Sequence, residues 1–468
     1  MRINKIDVSL IGNEPIYKQL YNFIKSQITS GNYTPGDILP SSRGLATTMN
    51  ISRTSVLNAY KLLMAEGYIL SVAGSGYRIN NYPIVSTGKI KSQKEEYKIR
   101  ETRYLPFNAE PIDLSFFPFN KWAKMTSRIS RENLLSFFSS NEIEKNGIID
   151  LRKAICTYLL EMKGIDCSPE QILVTSGAME SLEISINILA GGGCVGMFGI
   201  ENIYYPPMFD FLSKTNHSLS YMKIDHEGAC PDLISSACKA VIITPGCQFP
   251  LGITMSYQRR MKFIKWASIN KGWIIEDAYD SEFSADGKKV NTIFSLDKEG
   301  RTIYLGSFSR VMTSEFRVGF VVIPRSLLDA FINTEYTTKV SYIPQVILAE
   351  FMKSGEFYRN LVKAKDNCSQ KKEYLLGLLK KHLPMYGFPY ENKSGSFVVF
   401  LLKSFINDKD FIIYAKERGL DLKALSAMSY AGSYNGLLLG FVYFNNKVLK
   451  ESIILLKKIL DLYCGKDM

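Results

Sequence analysis

The sequence predicts two domains of different class, a small helical head carrying a β-hairpin and a large α/β domain. Three observations carry this. Helical apolar spacing with capping residues recurs three times before residue 67, and two short apolar runs around a glycine turn follow. From about residue 108 onward, β-branched runs alternate with helical patterns. Between them, residues 81–107 hold Pro83, Ser86, Thr87, Gly88 and the run KIKSQKEEYKIRETR, with few apolar residues and no sustained period. The expected organisation is therefore a head at 1–80, a linker at 81–107 and a second domain at 108–468.

Glu14 to Ile28 places Ile16, Leu20, Phe23, Ile24 and Ile28 at helical spacing, with Gly31 as a stop. After the turn Thr34-Pro35-Gly36-Asp37, Ser41 is a good N-cap for a short helix through about Met49, with Leu45, Ala46 and Met49 inward. Asn50 and Ile51 make a tight break. Ser52 then caps a third helix built on Val56, Leu57, Tyr60, Leu63 and Met64 and closed by Gly67. Two helices joined so closely read as helix-turn-helix. The stretch Tyr68 to Ile79, with Gly74-Ser75-Gly76 at its centre, reads as a β-hairpin and completes a winged helix. In the larger domain the strand candidates include Ile172-Leu173-Val174, Val241-Ile242-Ile243, Trp273-Ile274-Ile275 and Phe320-Val321-Val322-Ile323.

With 46% hydrophobic and 22% charged residues over 468 positions, the composition is that of a globular protein, which excludes fibres and disordered tails. No apolar run reaches membrane-spanning length and the N-terminus carries no cleavable leader pattern, so a cytoplasmic, unanchored protein is expected. Eight cysteines without a CxxC pair and three dispersed histidines argue against a disulfide framework and a metal site. Residues 1–107 hold 14 Lys/Arg against 7 Asp/Glu, so +7 of the net +12 sits in less than a quarter of the chain. That surplus points the head towards an anionic partner such as double-stranded DNA, a basic solvated face being the other reading.

In a helix-turn-helix the third helix can enter the major groove with its first turn against base edges and phosphates. Here that turn is Ser52-Arg53-Thr54-Ser55. Arg53 can fork onto a guanine edge or a phosphate, the hydroxyls of Ser52, Thr54 and Ser55 can reach phosphate, and Arg43 starts the preceding helix. The wing Gly74-Ser75-Gly76 with Arg78 can meet the adjacent minor groove or backbone. The string from Leu39-Pro40-Ser41-Ser42-Arg43 through Ser52-Arg53-Thr54, Ala59-Tyr60, Glu66-Gly67-Tyr68 and Gly74-Ser75-Gly76 resembles the GntR-type winged-helix domain. The resemblance implies that Arg43, Arg53, Thr54 and the glycine wing contact operator DNA.

Residues from about 108 to the end resemble fold-type I aminotransferases, and a GntR-type head joined to such a domain is the arrangement of the MocR subfamily of transcription regulators. The resemblance rests on Asp113 to Phe119 with Trp122, Gly147, Leu151-Arg152, Thr175-Ser176-Gly177-Ala178-Met179-Glu180, Thr244 to Gly252, Glu276 to Phe283 and Thr302 to Phe320. It implies a pyridoxal 5'-phosphate site and a homodimer. Asp277 matches the acid facing the ring nitrogen, Tyr279 the partner of the ring hydroxyl and Tyr205 the aromatic stacked on the ring. Ser307, Ser309 and Arg317 match phosphate ligands, and the Ser176-Gly177-Ala178 turn offers backbone amides.

Arg310 stands where the family has its Schiff-base lysine. A guanidinium stays protonated and is no amine nucleophile, so a covalent link and ordinary transamination are not expected. Leu438 stands where the family pattern shows the arginine that holds a substrate carboxylate, and Cys247 and Phe397 replace the usual histidines. Lys288 and Lys289 sit in a polar loop. Three readings follow: a regulator binding pyridoxal phosphate or a related vitamer non-covalently, a regulator whose pocket serves another effector or none, and a pyridoxal-phosphate enzyme with an unusual base. The expected partners are operator DNA, a small-molecule effector and a second copy of the chain.

Overall fold

The computed structural model describes residues 3, 6, 14–72, 76–81, 104–132, 145–191, 193, 196–215, 217–283, 291–312, 314–332, 336–390, 394–432 and 434–465. They fall into two compact units, Met1–Glu101 and Thr102–Met468.

In the first unit, α1 (Ile16–Thr29) buries Leu20, Tyr21, Ile24 and Ile28, the stripe that the helical spacing marks out. The Ser41 side chain accepts the Gly44 N–H at 3.1 Å and opens α2 (Ser42–Met49), which Asn50 ends in the left-handed region. Ser52 repeats the device, accepting the Ser55 N–H at 3.0 Å at the start of α3 (Arg53–Ala65). The Tyr60 hydroxyl donates to the Pro40 carbonyl at 2.9 Å, tying α3 to the segment before α2. A strand not expected from the sequence, β1 (Ile38–Leu39), joins β2 (Ile69–Val72) and β3 (Gly76–Ile79) in an antiparallel sheet ordered β1-β3-β2. Two residues leave no periodic trace, and only their pairing with Tyr77 and Arg78 makes them a strand.

The second unit is built on a seven-stranded sheet ordered β4-β12-β11-β10-β9-β5-β6. Its strands are β4 (Ile172–Thr175), β5 (Met197–Glu201), β6 (Leu219–Met222), β9 (Cys238–Ile243), β10 (Trp273–Asp277), β11 (Thr302–Ser307) and β12 (Gly319–Val322), with the ribbon β7 (Ile224–Asp225) and β8 (Gly228–Ala229) beside them. All pairings are parallel except those of β12, which runs against both β11 and β4. Both faces are covered: Ile172 and Val174 enter a core with Leu151, Ile155 and Phe351, while Leu173 between them enters another with Leu182 and Ile188. Strands buried on both faces read as continuous apolar runs, which is why β4, β9, β10 and β12 were legible.

Towards the C-terminus, β13 (Gly387–Pro389), β14 (Phe397–Leu402), β15 (Lys423–Ala424) and β16 (Gly436–Gly440) form an antiparallel sheet ordered β13-β14-β16-β15. Helices Glu356–His382 and Asn446–Cys464 supply Leu375, Leu379, Ile453 and Leu456 to its core. The packing of this unit starts upstream of residue 108. Phe107, placed in the linker on composition, is fully buried there, and its carbonyl accepts the Gly440 N–H at 2.8 Å. The run Tyr104-Leu105-Pro106-Phe107 is too short to carry a period, so pattern alone could not separate it from the linker.

Candidate ligand pocket and nucleic-acid face

A cavity of about 600 Å³ opens where the C-terminal ends of β10 and β11 meet the turn after β4. Nine of the expected ligand-binding residues line it: Gly177, Ala178, Tyr205, Asp277, Tyr279, Ser307, Ser309, Arg310 and Arg317. Ser176 does not. Its N–H donates to Glu180 Oε2 at 2.5 Å and so caps the helix Ala178–Gly191.

The anion-binding side follows from backbone geometry. Gly177 has φ +127°, and an added Cβ would come within 4.0 Å of Arg317 Nη1. Gly319 on β12 lies so close to this turn that a Cβ there would meet Gly177 Cα at 3.0 Å. Arg317 itself has φ +51°, unusual for a non-glycine residue. Ser307 Oγ donates to Ser309 Oγ at 3.0 Å and accepts the Ser309 N–H at 3.2 Å, so the two hydroxyls are held together.

Asp277 ends β10 and is buried. Its Oδ1 accepts the Tyr279 N–H at 3.1 Å, and the Tyr204 hydroxyl lies 3.4 Å from Oδ2. Among the described residues it has no cationic partner, and burial pushes its carboxyl up to about 7. Glu201, buried beneath, is likewise raised to about 7 by burial, against hydrogen bonds from Thr244 and Gln248. Tyr204 was missed from sequence, where its neighbour Tyr205 carried the family match.

Arg310 is where the geometry departs furthest from a lysine site. Its Nε donates to Asp280 Oδ1 at 3.1 Å, Nη2 donates to Ser396 Oγ, and Nη1 lies 3.4 Å from the Ala109 carbonyl. Asp280 Oδ2 accepts the Ser396 N–H at 2.8 Å and the Ser396 hydroxyl at 2.5 Å. Burial alone works against the charge, but Tyr279 and the Asp280 carboxylate raise Arg310 above its ordinary pKa, so it stays a cation. Asp280 sits inside a motif the sequence flags, yet nothing there marks it as a partner of residue 310. Ser396 and Ala109 are far away in sequence and carry no motif.

Opposite these polar groups, Leu438 on β16 and Phe397 on β14 line the cavity, with Phe249 5.4 Å from the Phe397 ring centroid. Cys247 is fully buried and absent from the lining residues. Lys423, paired with Leu438 across the strands, also lines the cavity, with Nζ 3.9 Å from Glu110 Oε1. Sequence reasoning gave no signal for this cation. Lys288 and Lys289 lie outside the described residues, as do Gly74 and Ser75 of the wing tip.

In the head, Arg53 and Thr54 are exposed on the first turn of α3 and Arg43 on the first turn of α2. Among the described residues neither guanidinium of Arg43 or Arg53 has a side-chain partner. The Ser52 hydroxyl serves as the cap and lies 2.9 Å from Ser55 Oγ, so both are committed within the helix start. Gly76 and Arg78 are exposed on β3.

The described cysteines are free thiols, no described group of three His, Cys, Asp or Glu side chains could hold a metal ion, and no described helix is long and apolar enough to cross a membrane.

Comparison with known proteins agrees with both units. Residues 16–79 match the bacterial regulatory proteins of the gntR family, and residues 113–424 match the aminotransferase class I and II family. An uncharacterized HTH-type transcriptional regulator of Bacillus subtilis, YdeL, is 30% identical over 95% of this chain and 96% of its own. The probable rhizopine catabolism regulatory protein MocR of Rhizobium meliloti is 26% identical over 94% of this chain and 92% of its own. The chain belongs to the MocR subfamily. Like other MocR-type chains it joins a DNA-binding head to an aminotransferase-like domain. The larger unit has the fold of an archaeal alanine:glyoxylate aminotransferase, with TM-score 0.68 and 22% identity over 78% of this chain and 92% of that one.

Pyridoxal 5'-phosphate is the group this fold family implies. The residues of this MocR-type pocket fit it: a buried acid with no cationic partner among the described residues for a ring nitrogen, a glycine turn with Ser307, Ser309 and Arg317 for a phosphate, and Tyr205 and Tyr279 for the ring.

Proposed function

We propose that the aminotransferase-like domain of this MocR-type regulator binds pyridoxal phosphate or a related vitamer non-covalently, and that its occupancy controls operator binding by the head without transamination. The observation that carries this is Arg310, ion-paired at 3.1 Å to Asp280 in a cavity that retains the ring and phosphate groups. The phosphate would take Ser307, Ser309, Arg317 and the amides of Gly177 and Ala178. Asp277 would hold the proton on the ring nitrogen, and Tyr279 would donate to the ring oxygen. When bound, the cofactor supplies an electron-accepting ring and an aldehyde, and the chemistry of a covalently anchored enzyme needs an amine at residue 310 that arginine does not offer.

The cavity's other departures support a sensing role. Leu438, which lines the cavity, is apolar where the family resemblance implies the arginine that grips a substrate carboxylate. The buried Lys372, lowered by desolvation and donating to the Ser394 carbonyl, is not among the residues that line the cavity. Two copies of the chain, head and effector domain each, would present paired recognition helices to a two-fold operator, so ligand occupancy could act through the spacing or freedom of the heads. The protein would act in the cytoplasm, where both DNA and vitamers are available.

Absorbance titration of the full chain with pyridoxal phosphate tests the reading, alongside the same titration of Arg310→Lys. Saturable binding without the visible band of a lysine-bound chromophore in the wild type, and with that band in Arg310→Lys, is the expected result. Absence of binding by both proteins would show that the pocket serves another effector or none.

A further inference from the structure

The cavity presents an acid at Asp277, an anion cradle at Ser307, Ser309 and Arg317, and a guanidinium at Arg310. The third is a cation whose acceptors, Asp280, Ser396 and the Ala109 carbonyl, are already engaged by it. Nε and Nη2 are spent on Asp280 and Ser396, leaving Nη1, whose nearest acceptor, the Ala109 carbonyl, is 3.4 Å away. Asp280 neutralises the charge but cannot turn towards a ligand: it is 1% exposed, its Oδ1 faces Arg310 and its Oδ2 takes two hydrogen bonds from Ser396. A guanidinium accepts nothing at any working pH. Of the other acids on the lining, Glu110 has a side chain 74% exposed and lies beside Lys423, and Glu282 is ion-paired to Lys163 at 3.0 Å. Tyr279 and Tyr205 offer hydroxyls, and Phe249, Phe397 and Leu438 offer no polar atom.

We infer that Arg310 is a specificity-determining residue that selects the ligand by the substituent facing it: an oxygen acceptor, such as the aldehyde of pyridoxal phosphate, is taken, and a protonated aminomethyl group, as in pyridoxamine phosphate, is refused. The inference rests on the reading of the cavity as a vitamer site and deepens it. An aldehyde oxygen accepts from Nη1. An ammonium group in the same place meets a second cation, loses its water and finds in exchange only neutral oxygens, the nearest of them the Ala109 carbonyl that Arg310 already uses. The regulator therefore distinguishes the two interconverting forms of one cofactor.

Calorimetric titration of the full chain with pyridoxal phosphate and with pyridoxamine phosphate tests this. Pyridoxamine phosphate is expected to bind at least about tenfold more weakly, the loss of one charge-assisted hydrogen bond. In the charge-neutral double variant Arg310→Met with Asp280→Asn, checked for folding by its thermal transition, the two affinities are expected to converge to within about threefold. Arg310→Gln, which brings an acceptor while removing the charge, is the second variant and should also narrow the gap. Equal affinities in the wild type, or an undiminished gap in both variants, would overturn the inference while leaving the vitamer site standing. Binding of neither compound by the wild type would overturn both.

Discussion

Arg310 Nε and Asp280 Oδ1 are 3.1 Å apart, and Ser396 closes the remaining oxygen of the acid from behind. The pair is self-contained. Breaking it from one side leaves an uncompensated charge in a largely buried place, whereas removing both charges leaves none.

Asp280→Asn is therefore expected to destabilise the large domain by about 3 kcal/mol, while adding Arg310→Met restores much of the loss. Denaturant unfolding of the single and double variants measures the coupling. Additive effects would show that the two side chains do not depend on each other.

Asp277 gives the ligand-free protein a pH dependence. Its folded pKa is raised from 3.8 to about 7, so between these values the folded state holds a proton that the unfolded state has released. Stability must fall as pH rises through that window. Asp277→Asn should remove a component of up to ~2–4 kcal/mol from the decline between about pH 4 and pH 8, leaving the part that Glu201 contributes in the same sense. Thermal transitions across that range, with and without saturating pyridoxal phosphate, read it. A ligand with a protonated ring nitrogen should flatten the slope, because it pairs with the ionised acid.

Arg53→Ala should cost about 1–3 kcal/mol of specific operator affinity and relax the preference at one base pair, if the guanidinium forks onto a base. Arg43→Ala should weaken binding evenly across sequences and reduce its salt dependence, as loss of a phosphate contact does. Neither change should alter stability by more than about 0.5 kcal/mol, since both side chains are exposed and unpaired among the described residues. Footprints unaltered by Arg53→Ala would place the recognition surface elsewhere.

Gly440→Ala tests a contact that links the small sheet to the pocket. A Cβ at Gly440 would lie 2.2 Å from the Asn108 carbonyl oxygen and 2.3 Å from Ala109 Cα. The strap carrying Ala109, whose carbonyl faces Arg310, would have to move. A cost of about 1–3 kcal/mol and weaker vitamer binding are expected together, read by unfolding and titration.

Most of the head was legible because its structure is local. Ser41, Asn50 and Ser52 act on residues within four positions, and the buried stripe of α1 follows from spacing alone. Strands β4, β9, β10 and β12 were legible as apolar runs, and nine of the pocket residues followed from the family resemblance. What the sequence concealed is tertiary: β1 exists only through its pairing with β3, and Phe107 is held in the core by a hydrogen bond from Gly440, which also leaves room for the backbone of Asn108 and Ala109. Asp280, Ser396 and Ala109 converge on Arg310 from three separate elements, and Lys423 reaches the pocket only because β15 pairs with β16. Ser176 was carried over as a ligand on its motif, although its amide is committed to Glu180.

The loop that carries Ser309, Arg310 and Arg317 is pinned at both ends, since Ser307 on β11 stands opposite Gly319 on the antiparallel β12. Its outline is set by the strands that bracket it. Lysine codons differ by one base from the arginine codons AGA and AGG, so a lineage can discard or regain the covalent tether in a single mutational step while the loop keeps its course. An enzyme scaffold of this kind can become a receptor by inheritance, with its recognition of the old cofactor already in place.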